Sequence, residues 1–140
     1  MSPYYNQNYT RYEVEEILFQ IKECVRNDRF TISRNENRQE NVDFINEYNI
    51  RSDRQKKILI QLQADDFCHS LPNRKVGYRQ EVLYVFVPQV RLCNVDGEIE
   101  TIDIYTKFNV ILMSGSLPAS HRMVVVSFHK RNKPVNYLFR

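Results

Sequence analysis

The stretch from Glu100 to Leu112 alternates apolar and polar side chains, and this pattern constrains the fold more than any other feature of the sequence. Its apolar positions, interrupted only at Thr106, are Ile102, Ile104, Phe108, Val110 and Leu112. Because successive side chains of a strand point to opposite faces, the pattern predicts a half-buried β-strand. The second face of this strand would carry a row of polar groups: Thr101, Asp103, Tyr105, Lys107 and Asn109.

Helical periodicity dominates the first half of the chain. Thr10 and Glu13 form a capping-box pattern ahead of apolar residues at helical spacing, which predicts a helix from Arg11 to about Arg26. Further helices are predicted at 40–48, behind a second capping-box sequence at 52–55, and as a short turn over 65–71. Strand-like runs follow at 81–87 and 123–128, with an Asp-Gly hairpin turn at 96–97. This order predicts an α+β domain, with N-terminal helices packed on one face of a small antiparallel sheet and the other face open.

Length and composition limit the class of protein. The 140 residues, 42% of them hydrophobic, suffice for one domain with a real core. We expect a flexible N-terminal arm over residues 1–9 and a single domain over residues 10–140. The net charge of +3 is too small to establish nucleic-acid binding by itself. The three cysteines are widely spaced, and no run resembles a membrane span or a signal peptide, so we expect a soluble cytoplasmic protein.

Candidate catalytic groups lie on the polar face of the predicted sheet. The common nucleotide, zinc-protease and hydrolase motifs are absent and the three histidines lack metal-binding spacing, so we expect neither metal nor cofactor. We expect the last strand to direct three side chains into the core: Val124, Val126 and Phe128. His129 would then lie on the opposite face with Ser127, beside Tyr105 and Lys107. Histidine exchanges protons at cellular pH and the cations can stabilise a phosphorane, so this set fits metal-free RNA cleavage.

Five short motifs occur in order along the chain. They are Ile58-Leu-Ile-Gln-Leu-Gln-Ala-Asp-Asp-Phe-Cys-His-Ser70, Tyr78-Arg-Gln-Glu-Val82, Val85-Phe-Val-Pro88, Ile104-Tyr-Thr-Lys107 and Val125-Val-Ser-Phe-His129. Their order and spacing resemble the MqsR family of bacterial toxins, which are small mRNA endonucleases. The resemblance covers roughly residues 55–130. It implies a RelE-like fold, cleavage of mRNA by a type II toxin, and a cognate antitoxin protein as the partner.

The functional positions of that family fall, by resemblance, on four residues of this sequence: His69, Gln80, Tyr105 and His129. The family has lysine where this chain has His69 and His129, so two histidines replace two lysines. We expect this pair to transfer protons while Tyr105 orients or stacks on the substrate and Gln80 holds the phosphate. We expect four basic residues to bind the RNA substrate: Arg79, Lys107, Lys130 and Arg131.

Two non-catalytic functions also fit the same polar face. The protein could be an RNA- or protein-binding module in which Tyr105 and the basic residues make the contacts and the histidines are incidental. It could also be an interaction protein whose function is contact with a partner. Substitution of both histidines separates these alternatives, because an enzyme would lose RNA cleavage and keep binding.

Overall fold

The structure is a computed structural model that describes residues 4–35, 38–75, 77–78, 80–113 and 120–140, the side chains of residues 112, 113 and 120 excepted. In chain order the elements are α1 (Arg11–Arg26), β1 (Phe30–Ile32), α2 (Gln39–Glu47), α3 (Ser52–Ile60), β2 (Phe67–Pro72), β3 (Val82–Phe86), β4 (Gln89–Cys93), β5 (Ile99–Met113) and β6 (Ser120–Lys130). The predicted α+β class is therefore confirmed. No helix within the described ranges is long and apolar enough to cross a membrane.

The helices form where the apolar periodicity places them. At the start of α1, Thr10 Oγ1 accepts a hydrogen bond from the Glu13 backbone, and the Glu13 carboxylate accepts one from the Thr10 N–H, so the predicted capping box is confirmed. The box predicted at 52–55 does not form. Ser52 is already helical, Arg51 occupies the N-cap without a side-chain bond, and Gln55 turns inward to a backbone carbonyl.

β5 is the central strand of a mixed sheet. The strand order is β1-β6-β5-β3-β2, and β4 pairs with the first part of β5. β1 runs parallel to β6, while all other pairs among the described strands are antiparallel. β3 and β4 pair with successive parts of β5 in the same register, and Pro88 lies between the two strands. The 15 residues of β5 therefore hold three other strands together.

The segment predicted as a helical turn over 65–71 is a strand instead. Only the 3₁₀ turn Ala64–Asp66 is helical, and β2 begins at Phe67. β2 pairs with β3, with a bulge between Phe67 and His69. The error has a physical cause, because pairing with a distant strand overrides the local preference of a short polar run. His69 therefore lies on a sheet rather than on a helix.

The two faces of the sheet carry separate apolar clusters. The main core lies between the helices and the first face, where Ile104 and Phe108 are fully buried. Tyr105 belongs to a smaller cluster with Cys68 and Val85, which contains no helical residue among those described. We call the face that carries this cluster the second face. The predicted alternation of β5 and the packing of helices on one face are both confirmed.

A bulge in β6 changes which of its side chains are buried. The register against β5 shifts between Lys107 and Phe108, which makes Val126 the extra residue. The main core takes three side chains of β6: Met123, Val125 and Phe128. The prediction that Val124 and Val126 face the core is wrong, because the bulge shifts the alternation by one residue. Beyond the bulge, His129 keeps its predicted orientation opposite Tyr105.

The second face is not open over Tyr105, where an open face was predicted. Tyr105 is only 3% exposed because the C-terminal segment, residues 131–140, covers it. Within that segment, Tyr137 Oη donates to the Val87 carbonyl at 2.7 Å. Arg140 forms an ion pair with Asp66 at 2.8 Å, which fixes the end of the chain beside β2.

Candidate functional site

Four strands bring one row of side chains across the second face. From β2 to β6 its members are His69, Val85, Lys107 and Ser127. Tyr105 and His129 pair in the same way two residues further along. Because neighbouring strands lie about 4.8 Å apart, the backbones of the two outer strands are separated by about 14 Å. Lys107 therefore lies between the two predicted proton-transfer residues, His69 and His129.

His69 is buried, with 3% of the residue exposed. The Tyr5 ring stacks on it with 3.7 Å between ring centroids and 11° between planes. Its Nε2 is buried and has no hydrogen-bond partner in the described part of the chain. Burial, followed by the positive charges of Lys133 and Lys107, lowers the pKa of His69 to about 4. The ring is therefore neutral at cellular pH.

The residues before α1 hold Tyr5 in place. Asn6 and Ser70 exchange two backbone hydrogen bonds, of 2.8 and 2.9 Å, at the edge of β2. Gln7 Nε2 donates to the Cys68 carbonyl at 2.9 Å. Residues 4–9, which lie in the predicted flexible arm, thus form a segment with specific contacts along β2. We call it the N-terminal segment.

Tyr105 and His129 stack on each other at the other end of the site. Their ring centroids are 5.5 Å apart and their planes differ by 19°. Burial raises the pKa of Tyr105, so its hydroxyl stays protonated. His129 Nδ1 lies 2.8 Å from the Lys130 carbonyl, which can only accept, and 3.7 Å from the Glu40 carboxylate. Nδ1 therefore carries a proton, and Nε2 is the nitrogen left for chemistry.

Asn41, on α2, sets the position of the β6 bulge. It is fully buried, and its Oδ1 accepts a hydrogen bond from the Phe128 N–H at 2.8 Å. Its Nδ2 donates to the carbonyls of Val126, at 3.1 Å, and Ser33, at 2.9 Å. The bonds to Val126 and Phe128 satisfy backbone groups beside the bulge, and the bond to Ser33 joins α2 to the end of β1. Asn41 thereby fixes the orientation of β6 just before His129.

The centre of the site is strongly positive. Lys107 Nζ lies 5.7 Å and Lys133 Nζ 5.4 Å from the Tyr105 ring centroid. Burial, followed by the charges of Arg38 and Lys133, lowers the pKa of Lys107 to about 8. Three cations from different parts of the chain therefore act on one small area of the second face.

The structure does not bring every predicted residue into this group. Gln80 is exposed in the turn before β3 and makes no hydrogen bond or ring contact with the site within the described residues. Lys130 forms an ion pair with a carboxylate of α2 at 3.2 Å, and Arg131 pairs with a carboxylate of β5 at 3.3 Å. Arg79, also predicted to bind substrate, lies outside the described residues. The predicted residues that do come together are His69, Tyr105, Lys107 and His129.

Sequence reasoning missed four residues of the site: Tyr5, Arg38, Asn41 and Lys133. Lys133 had a signal, because it lies in a basic run at the end of the chain that contains no acid. The other three had none, since each reaches the site through a contact with a distant strand. A periodicity within one element cannot reveal such contacts.

Neither a metal-binding group among the described residues nor a similarity to known proteins identifies this site. No group of three or more metal-ligating side chains occurs in the described ranges. Comparison of the chain with protein-family models, curated proteins and solved structures finds no match.

Proposed function

We propose that this protein is a metal-independent endoribonuclease with a RelE-like fold, the toxin of a type II toxin–antitoxin pair similar to the MqsR family. Its proposed partners are an mRNA substrate and a cognate antitoxin protein. One observation carries the proposal: His69, Lys107 and His129 occupy the same face of the sheet, and His129 stacks on Tyr105. Three of the four positions that match the family motifs thus share one site.

The arrangement supports cleavage by the 2′-hydroxyl of the RNA itself. His69 accepts the proton of that hydroxyl, because its ring is neutral at cellular pH. The 2′-oxygen attacks the adjacent phosphorus, and the bond from phosphorus to the 5′-oxygen breaks. His129 gives the leaving oxygen a proton, while Lys107 stabilises the charge of the phosphorane. The products are a 2′,3′-cyclic phosphate and a 5′-hydroxyl.

The substrate displaces Tyr5 from His69 in this mechanism. A histidine with a pKa of about 4 accepts protons poorly, and the stacked ring blocks one of its faces. A nucleobase can take the place of the Tyr5 ring, since bases stack on aromatic side chains. Partial exposure then returns the pKa of His69 toward its usual value and makes it a better base.

Cleavage of a synthetic RNA by the purified protein in EDTA tests the proposal. We expect products with 2′,3′-cyclic phosphate ends and no cleavage of a 2′-O-methyl RNA of the same sequence. His129→Ala should lower the rate by about two to four orders of magnitude, the usual contribution of a proton-transfer group. His121→Ala is the matched control, because His121 lies on β6 outside the site and should leave the rate unchanged. Activity that EDTA abolishes and a divalent ion restores would contradict the proposal.

A non-catalytic RNA-binding module is the second candidate. The observation that favours it is the burial of His69 beneath Tyr5, which withholds the proposed base from substrate. In that case the protein binds RNA through its cations and aromatic rings without cutting it, and His129→Ala leaves its RNA affinity unchanged.

A further inference from the structure

The second face holds more positive charge than proton transfer requires. Lys107 and Lys133 both approach the Tyr105 ring, and Arg38 acts on Lys107 from the start of α2. In the described ranges no carboxylate forms an ion pair with any of these three cations. Arg131, a basic residue further along the same face, is instead paired with Asp103. Three cations without an ion pair therefore act on one small area of the second face.

This concentration of charge is unfavourable in the free protein. Lys107 is partly buried, and both neighbouring cations repel its charged form, which agrees with its lowered pKa. A buried charge without a counter-ion destabilises a fold unless a ligand compensates it. A bound anion would supply the missing counter-charge.

His69 gives a second, independent indication of a ligand. Its Nε2 is buried and lacks a partner among the described residues, although buried polar atoms nearly always have one. The charges of Lys133 and Lys107 both reach this ring. The neutral ring can donate a hydrogen bond to an oxyanion through Nε2, and the two lysines can add their own donors.

We infer that His69, Lys107 and Lys133 form a binding site for a phosphoryl group, with Arg38 as an outer cation. The three donors come from β2, β5 and the C-terminal segment, so they can surround a tetrahedral anion from different sides. The inference deepens the proposed function. It rests on that function only for the identity of the ligand, which is then an RNA phosphodiester. It also makes the C-terminal segment part of the site, since Lys133 belongs to it.

Two probes distinguish a free phosphate from an RNA phosphodiester. The first is inorganic phosphate, and the second is a 2′-O-methyl oligoribonucleotide, which cannot react through its 2′-oxygen. Calorimetry gives the affinity for each probe, and NMR follows the ring signals of His69. We expect both probes to bind and to shift those signals.

Neutral variants of the two lysines test the site itself. Lys133→Gln and Lys107→Gln should each weaken phosphate binding by about tenfold. For the oligonucleotide, each should reduce the slope of log affinity against log salt by about 0.7, as expected when one phosphate contact is lost. Lys57→Gln is the matched control, because Lys57 is exposed on α3 and its loss changes the net charge equally. Circular dichroism verifies that each variant is folded.

The outcomes separate this site from the proposed nuclease. If Lys107→Gln and Lys133→Gln bind both probes as Lys57→Gln does, the site is overturned even if the protein cleaves RNA. Oligonucleotide binding that leaves the His69 signals unmoved also overturns it, because the RNA then lies elsewhere. If phosphate binding depends on both lysines but the protein cuts no RNA, the phosphoryl site is upheld and the proposed nuclease activity is rejected.

Discussion

At the scale of single residues, the stack of Tyr5 on His69 controls the acid–base chemistry of the site. Burial is the largest cause of the low pKa of His69, and the Tyr5 ring lies parallel to it at 3.7 Å. In the proposed mechanism, substrate access to His69 and the strength of His69 as a base therefore depend on the same contact.

Removal of that contact should raise the pKa of His69. In Tyr5→Ala the ring becomes more exposed, so its pKa should move from about 4 toward 6.5. NMR titration of the ring protons measures the change. Tyr4→Ala is the matched control, because Tyr4 stacks on Arg74 rather than on His69. A pKa that stays near 4 in Tyr5→Ala would show that the Tyr5 ring is not the source of the shift.

The charge of Lys107 should lower the stability of the folded protein. Its charge is partly buried and repelled by Arg38 and Lys133, so Lys107→Met should raise the free energy of unfolding by about 1–2 kcal/mol at pH 7. Above pH 8 the folded wild type loses a proton that the unfolded chain keeps until about pH 10.5. The stability of the wild type should therefore rise relative to that of Lys107→Met across that interval. Cys68, whose raised pKa acts in the opposite direction above pH 9, is present in both proteins. Urea denaturation at several pH values tests both statements.

At the scale of elements, the β6 bulge sets the register of β6 against β5 on the second face. Asn41 bonds to one N–H and one carbonyl beside the bulge and to the Ser33 carbonyl, and these groups lose this partner in Asn41→Ala. We expect a loss of about 2–4 kcal/mol in the free energy of unfolding, since several buried polar groups lose their partners. Asn46→Ala, at an exposed position of the same helix, should change stability by less than about 0.5 kcal/mol. Equal effects of the two substitutions would mean that Asn41 does not hold the bulge.

The elements also show what could be predicted from the sequence. Periodicity suffices for α1 and β5, because each buries one face against a single core and its pattern is local. Tyr105 and Lys107 could therefore be assigned to one face. His129 keeps its predicted face only because it lies next to Phe128, beyond the bulge. The strand β2, the bulge and the N-terminal segment could not be predicted, since each depends on a partner distant in sequence. His69 was identified by a motif resemblance, but its burial under Tyr5 follows only from the fold.

At the scale of the whole molecule, the N-terminal segment and the C-terminal segment meet at the site. Gln7 Nε2 donates to the Cys68 carbonyl at 2.9 Å and to the Asn136 carbonyl at 3.1 Å, so one side chain links both terminal segments to β2. Tyr5 and Lys133 enter the site from these segments. The site is therefore complete only when both segments are in place. The pKa values of its ionisable groups in the folded protein then depend on the global fold.

The final prediction uses this link between the site and global stability. His69 has a pKa of about 4 in the folded protein, against 6.5 for an unperturbed ring. Between these values the unfolded chain binds a proton that the folded protein does not, so the free energy of unfolding should fall as the pH drops from 6.5 to 4. The loss should reach about 2–3 kcal/mol.

His69→Phe keeps an aromatic partner for Tyr5 but cannot titrate, which makes it the comparison for this loss. The raised pKa of Asp66, caused chiefly by burial, acts in the opposite direction near pH 4 and is present in both proteins. The difference between their urea denaturation curves therefore isolates His69. Parallel pH profiles for the wild type and His69→Phe would mean that the ring is protonated as easily in the folded protein as in the unfolded chain, and that it is not buried beneath Tyr5.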